Sequence, residues 1–149
     1  MPITLIMPYK FLEDIAIADV AFEASGKTLE KLLESAGLAV TNTMVKDLKS
    51  VKHVVQKKFK VEGDSAEKLL FNFLQELIFL KDAELLLFNK FEFEMIPKKN
   101  GFQLLVRAHG EKLDMKKHEL LVDVKAVSMH SFKVEETNDG WVADIILDV

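Results

Sequence analysis

The stretch that most constrains the fold is residues 64–81. Asp64-Ser65-Ala66-Glu67 has the form of a capping box, in which Asp64 and Glu67 satisfy orphan amides at a helix start. Leu69, Leu70, Phe73, Leu74, Leu77 and Leu80 follow at helical spacing. A helix this apolar must sit in the middle of a core, and the spacing predicts its end near Lys81. The rest of the chain has to supply surfaces that cover it. After the helix, only strands are predicted. Residues 85–96 and 102–110 flank Lys98-Lys99-Asn100-Gly101, and Asn-Gly is a strong hairpin signal. Residues 122–136 and 141–149 flank Asn138-Asp139-Gly140, a second hairpin.

Before the helix, Tyr9 to Leu12 reads as a short strand. Asp19 to Ala24 alternates, with Val20, Phe22 and Ala24 on one face. Gly26 closes that strand, and Thr28 caps a helix running to about Val45. Residues 51–61 form another strand. The expectation is one α+β domain over residues 1–149, with mainly antiparallel sheet and two main helices. Those helices cover one side of the sheet or fill the gap between two sheets.

Composition narrows the function. The chain has no cysteine, which excludes thiolate metal sites and cysteine nucleophiles and suits a reducing cytoplasm. No apolar run approaches the roughly 18 residues of a membrane span, and residues 1–8 lack the features of a signal peptide. A net charge of −4 disfavours wholesale polyanion binding. Six lysines between Lys46 and Lys60 face only Asp47. They are a candidate RNA or protein contact, weighed against a lysine-protected edge strand. The four histidines show no zinc spacing, and Ser25-Gly26-Lys27-Thr28 lacks the leading glycine of a phosphate-binding loop. No catalytic motif is found.

The last strand carries the candidate chemistry. If Asn138-Asp139 is a two-residue turn, Asp148 lies opposite Met129, and Lys125 shares its face and its end of the sheet. A carboxylate, the chain-terminal carboxylate of Val149 and a cation then meet at one place, a plausible metal or phosphate locus. Asp19, opening a strand after an apolar stretch, is a second candidate.

Four stretches resemble the archease family. Ala18-Asp19-Val20 with Ala24-x-Gly26-x-Thr28-Leu29-Glu30 is similar to its A-D-[VI] and A-x-G-x-[TS]-L-E. Residues 69–79 are similar to L-L-x-x-F-L-x-E-L-L-[YF], and residues 124–130 to V-K-A-[VI]-T-Y-H. Residues 145–149 match a closing apolar strand with D-[VIL]. The resemblance implies a protein that is not an enzyme but activates the RNA-splicing ligase joining 2′,3′-cyclic-phosphate and 5′-hydroxyl ends. It would touch RNA only through that partner, in the cytoplasm and away from membranes. It also implies a divalent cation, Ca²⁺ or Mg²⁺, on Asp19, Asp148 and the Val149 carboxylate, with Lys125 required for activation. The alternative is a metal-binding chaperone or RNA-binding module working without the ligase. The chain departs from the family before Asp19, where D-H-T is replaced by residues 13–17. Either Glu13 or Asp14 replaces the lost polar group, or the site is remodelled. Lys81-Asp82 stands for the family's His-Asp and keeps the acid, which makes Asp82 a further candidate.

Overall fold

A computed structural model describes residues 8–12 and 19–149. The chain forms β1 (Tyr9–Leu12), β2 (Asp19–Gly26), α1 (Leu29–Met44), β3 (Val55–Gly63), α2 (Ala66–Glu84), β4 (Leu86–Lys98) and β5 (Gly101–Lys112). It ends with β6 (Ala126–Val127), β7 (Lys133–Thr137) and β8 (Gly140–Asp148).

These strands make two antiparallel sheets. One has the order β1-β2-β8-β6, with β7 also pairing β8; the other has the order β3-β5-β4. Helix α1 touches β2 and β8 of the first sheet and β4 of the second, while α2 touches β3, β4 and β5 as well as β6 and β7. Both helices therefore lie between the sheets, the second of the two arrangements expected. Phe73 of α2 is fully buried, with its ring edge-on to Phe91 and Phe93 at 5.5 Å and stacked on Phe59. Helix α1 comes close enough that a side chain on Gly37 would meet the Phe91 ring at 2.9 Å and Phe73 at 3.3 Å. Here glycine serves packing, since interiors leave no room for one more methyl.

The helix α2 begins one residue later than the capping box implied. Ser65 is the cap and accepts from the Lys68 amide, while Glu67 reaches across to the Val134 amide at 3.3 Å. The helix also runs three residues past Lys81 and ends on Leu85 in the left-handed conformation. Lysine does not stop a helix, and Lys81 has a reason to stay inside this one. The strand expected over residues 51–61 begins only at Val55, because Leu48–Ser50 forms a single tight turn capped by Asp47. The strand expected over residues 122–136 is broken: β6 and β7 are separated by a turn through Met129 and Ser131, where Ser131 has φ of 58°.

Candidate functional site

Asp19 opens β2 and Asp148 closes β8, and the two are direct register partners. Side chains directly opposite on antiparallel strands share a face, with Cβ atoms about 5 Å apart. Like charges so placed repel unless a cation lies between them. No lysine, arginine or histidine among the described residues forms an ion pair with either carboxylate. On the far side of β8, Ala126 is the register partner of Asp148. The row Asp19–Asp148–Ala126 thus crosses three strands and presents two carboxylates and a methyl group. Two facing carboxylates with a third beside them would suit a hard cation, which prefers oxygen ligands. Among the described residues, no three acidic or histidine side chains converge as a metal-holding group. A full ligand set would therefore need the main-chain carboxylate following Asp148, on half-buried Val149, or water.

The register that places Met129 opposite Asp148 is corrected by the structure. The Asn138-Asp139 turn has two residues, and the expected pairing holds along β7, where Lys133 faces Asp144 and Thr137 faces Gly140. The turn at 129–132 then takes up extra residues, so Ala126 replaces Met129 opposite Asp148. Lys125 still reaches the same end of the sheet by a different route: its amide donates to the Asp148 carbonyl at 2.8 Å. Both Lys125 and Ala126 oppose the one residue Asp148, the pattern of a β-bulge, which re-aims a side chain. The Lys125 side chain is exposed.

Asp19 also borders a cleft of about 480 Å³ on the outer face of this sheet, with Ala21, Ile146, Asp144, His130 and Leu12 around it. His130 closes the 124–130 stretch similar to the family, and its place beside Asp19 depends on the 129–132 turn, which periodicity does not show. Glu13 and Asp14 lie outside the described residues.

Asp82 is engaged elsewhere. It accepts from the Lys81 ammonium at 2.5 Å, and Asp123 accepts from the same ammonium at 2.6 Å. The third contact is to the Val124 carbonyl at 2.8 Å. The Lys81 side chain is only 5% exposed. Burial works against its charge, but the hydrogen bonds it donates to Asp123 and Asp82 outweigh burial and hold the ammonium above the usual lysine range. Sequence reasoning missed Lys81 and Asp123. The available signal was position: Lys81 lies four residues after Leu77, on the apolar stripe of α2, where a lysine needs a partner.

A further charged cluster is largely buried. His118 is buried; its Nδ1 accepts from the Asp114 amide, so Nε2 carries the proton and donates to Glu111 at 3.0 Å. Glu111 also accepts from Lys117 and from the Lys52 amide. Burial raises the Glu111 carboxyl, but the hydrogen bonds from Lys117, the Lys52 amide and His118 prevail and bring it down to about 2. A folded-state value below the unfolded one stabilises the protein above the ordinary carboxylate range. That contribution is lost as pH falls from about 4.5 toward 2. Chemical denaturation at pH 7 and pH 3 should show this loss, and Glu111→Gln should flatten it; an equally steep loss in the variant would rule out the assignment. The lysine-rich segment is partly compensated: Lys46 pairs with Glu119 and Lys57 with Glu84, while Lys58 stands in register with Arg107, itself paired with Glu92, across the outer face of an edge strand.

No described helix is long and apolar enough to cross a membrane. Residues 9–149 match the model of the Archease protein family. A protein archease of Pyrococcus abyssi is 38% identical over 133 residues, covering 89% of this chain and 93% of that protein. A protein archease of Methanosarcina barkeri is 31% identical over 142 residues, covering 95% of each. Among solved structures, protein 1598 of Methanobacterium thermoautotrophicum superposes with a TM-score of 0.83 at 31% identity, covering 96% of this chain and 99% of that one. A Thermotoga maritima structure, described as an archease and possible chaperone, shares the fold at a TM-score of 0.56 and 18% identity, over 93% of this chain and 97% of that one.

Proposed function

The chain belongs to the archease family, and from that membership we propose that it is an accessory protein activating an RNA-splicing ligase. It promotes the metal-dependent guanylylation of the ligase and its multiple turnover in tRNA splicing or RNA repair, in the cytoplasm. The observation that carries this reading is the pairing of Asp19 with Asp148 at the sheet end where the Lys125 amide also binds. Two facing carboxylates without an ion-pair partner among the described residues are an arrangement that a cation would relieve. Asp19, Asp148 and the Val149 carboxylate would hold Ca²⁺ or Mg²⁺. When bound, such a cation offers charge stabilisation and orientation to phosphate oxygens. The exposed Lys125 contacts a phosphate or an acidic group of the ligase complex. None of these residues forms a covalent bond with substrate. They position and neutralise charge.

The test is multiple-turnover joining of cyclic-phosphate RNA by the cognate ligase, with and without substoichiometric protein. Product exceeding one turnover per ligase only when this protein is present supports the reading. A ligase indifferent to it would defeat the reading and leave a chaperone or RNA-binding role to be examined. Two of the six lysines of the 46–60 segment are paired with acids, which takes part of its charge away from an RNA contact.

A further inference from the structure

Strand β6 has only two residues, and its side away from β8 would be an open edge. Helix α2 closes that edge with side chains. Gln75 accepts from the Val127 amide at 3.0 Å, and Lys81 donates to the Val124 carbonyl at 2.8 Å. The second contact matters more, because the Val124 carbonyl and the Lys125 amide belong to one peptide group. That group is planar and trans, so its two ends point in opposite directions and turn together. One end is held by Lys81 and the other donates to the Asp148 carbonyl at 2.8 Å. The ammonium has three protons, and all three are used: on Val124, on Asp123 in the adjoining residue, and on Asp82 of its own helix.

We propose that Lys81 is a positioning residue that latches the Val124–Lys125 peptide to α2, and through it sets the Lys125 and Asp148 end of the sheet in its binding geometry. The proposal rests on the reading of that end as the cation-binding and ligase-activating site. The chain of contact is continuous and short: buried ammonium, peptide plane, Asp148 carbonyl. Neither Lys81 nor Asp123 touches the cation or the ligase. Their effect passes through the Lys125 main chain, in the way that groups behind the ligands orient a metal site.

The experiment pairs amide hydrogen exchange, read by NMR, with Ca²⁺ titration by calorimetry. In Lys81→Met, which keeps the length of the stem and removes all three donors, the Lys125 amide should exchange about tenfold faster than in the parent protein. Ca²⁺ affinity should fall about tenfold. Lys81→Arg, which keeps the charge and donors, should recover part of both. Gln75→Ala should accelerate exchange at Val127 and leave Lys125 near its parent rate, which separates the latch from general loosening of β6. If Lys81→Met does not fold, Asp123→Asn serves instead, since its carboxylate is mostly exposed; exchange at Lys125 should then rise severalfold. Parent-like exchange at Lys125 in a folded Lys81→Met or Asp123→Asn protein would overturn the proposal, as would an arginine variant no better than methionine. Absence of Ca²⁺ binding by the parent protein would count against the cation reading, and the exchange rates would then decide the latch by themselves.

Discussion

In Asp148→Ala, stimulation of the ligase is expected to disappear while the protein stays folded. The side chain is exposed and makes no hydrogen bond or ion pair among the described residues, so its removal opens no cavity. What Asp148 gives the fold is its carbonyl, which accepts from the Lys125 amide, and alanine keeps that. Removing one of two facing carboxylates also relieves repulsion with Asp19, so stability should stay within about 0.5 kcal/mol of the parent. For a cation held by two or three carboxylates, losing one lowers affinity on the order of a hundredfold, because affinity follows the number of charged ligands. Asp144→Ala is the control. It lies on the same strand and face, but is in register with Lys133 and four residues from the sheet end. It should stimulate the ligase as the parent does. Full stimulation by Asp148→Ala would show that the carboxylate pair is not the source of activity.

The largest effect on stability is expected from Phe73→Ala, at about 3–5 kcal/mol. The ring is fully buried at the point where α2 meets β3 and β4, flanked by Phe59, Phe91 and Phe93, with Gly37 of α1 close by. Three other elements, β3, β4 and α1, converge on it, so none can move in to fill the space without giving up other contacts. Against a total of roughly 5–15 kcal/mol for a domain, this is a large fraction. Urea denaturation should show a much lower midpoint with an unchanged slope, and the melting temperature should fall by roughly 10 °C. Phe73→Leu, which keeps most of the volume, should lose less than half as much. A loss under 1 kcal/mol in the alanine variant would mean that the aromatic cluster is not the centre of the core.

Much of the fold is legible in the chain because its signals are local. Thr28 marks a helix start by accepting from the amide three residues on, the Asp64–Glu67 box marks the other to within one residue of the actual cap at Ser65, and both helices follow from apolar periodicity. Alternation delivers β2 and β8, and the two-residue turn at Asn138-Asp139 sets the β7–β8 register. Asp19 and Asp148 could be named from sequence as ends of strands. That they face each other could not, since β2 and β8 are far apart in the chain and nothing local encodes their pairing.

The misses have the same origin. Opposite Asp148 the structure puts Ala126 rather than Met129, because Ser131 adopts a left-handed turn conformation that its residue type does not announce. Lys81 reads as a helix end because lysine is usually solvated; it stays inside because Asp123 and the Val124 carbonyl, contributed by a distant segment, satisfy its charge. The elements and the apolar helix that organises the core are written into the chain, since each depends on neighbours within a few positions; Asp19 and Asp148 stand out only as carboxylates at strand ends. The facing of Asp19 and Asp148, the peptide bonded to the Asp148 carbonyl and the buried lysine bonded to that peptide emerge in the folded molecule alone, since they depend on pairing between strands and helices that the chain brings together from a distance.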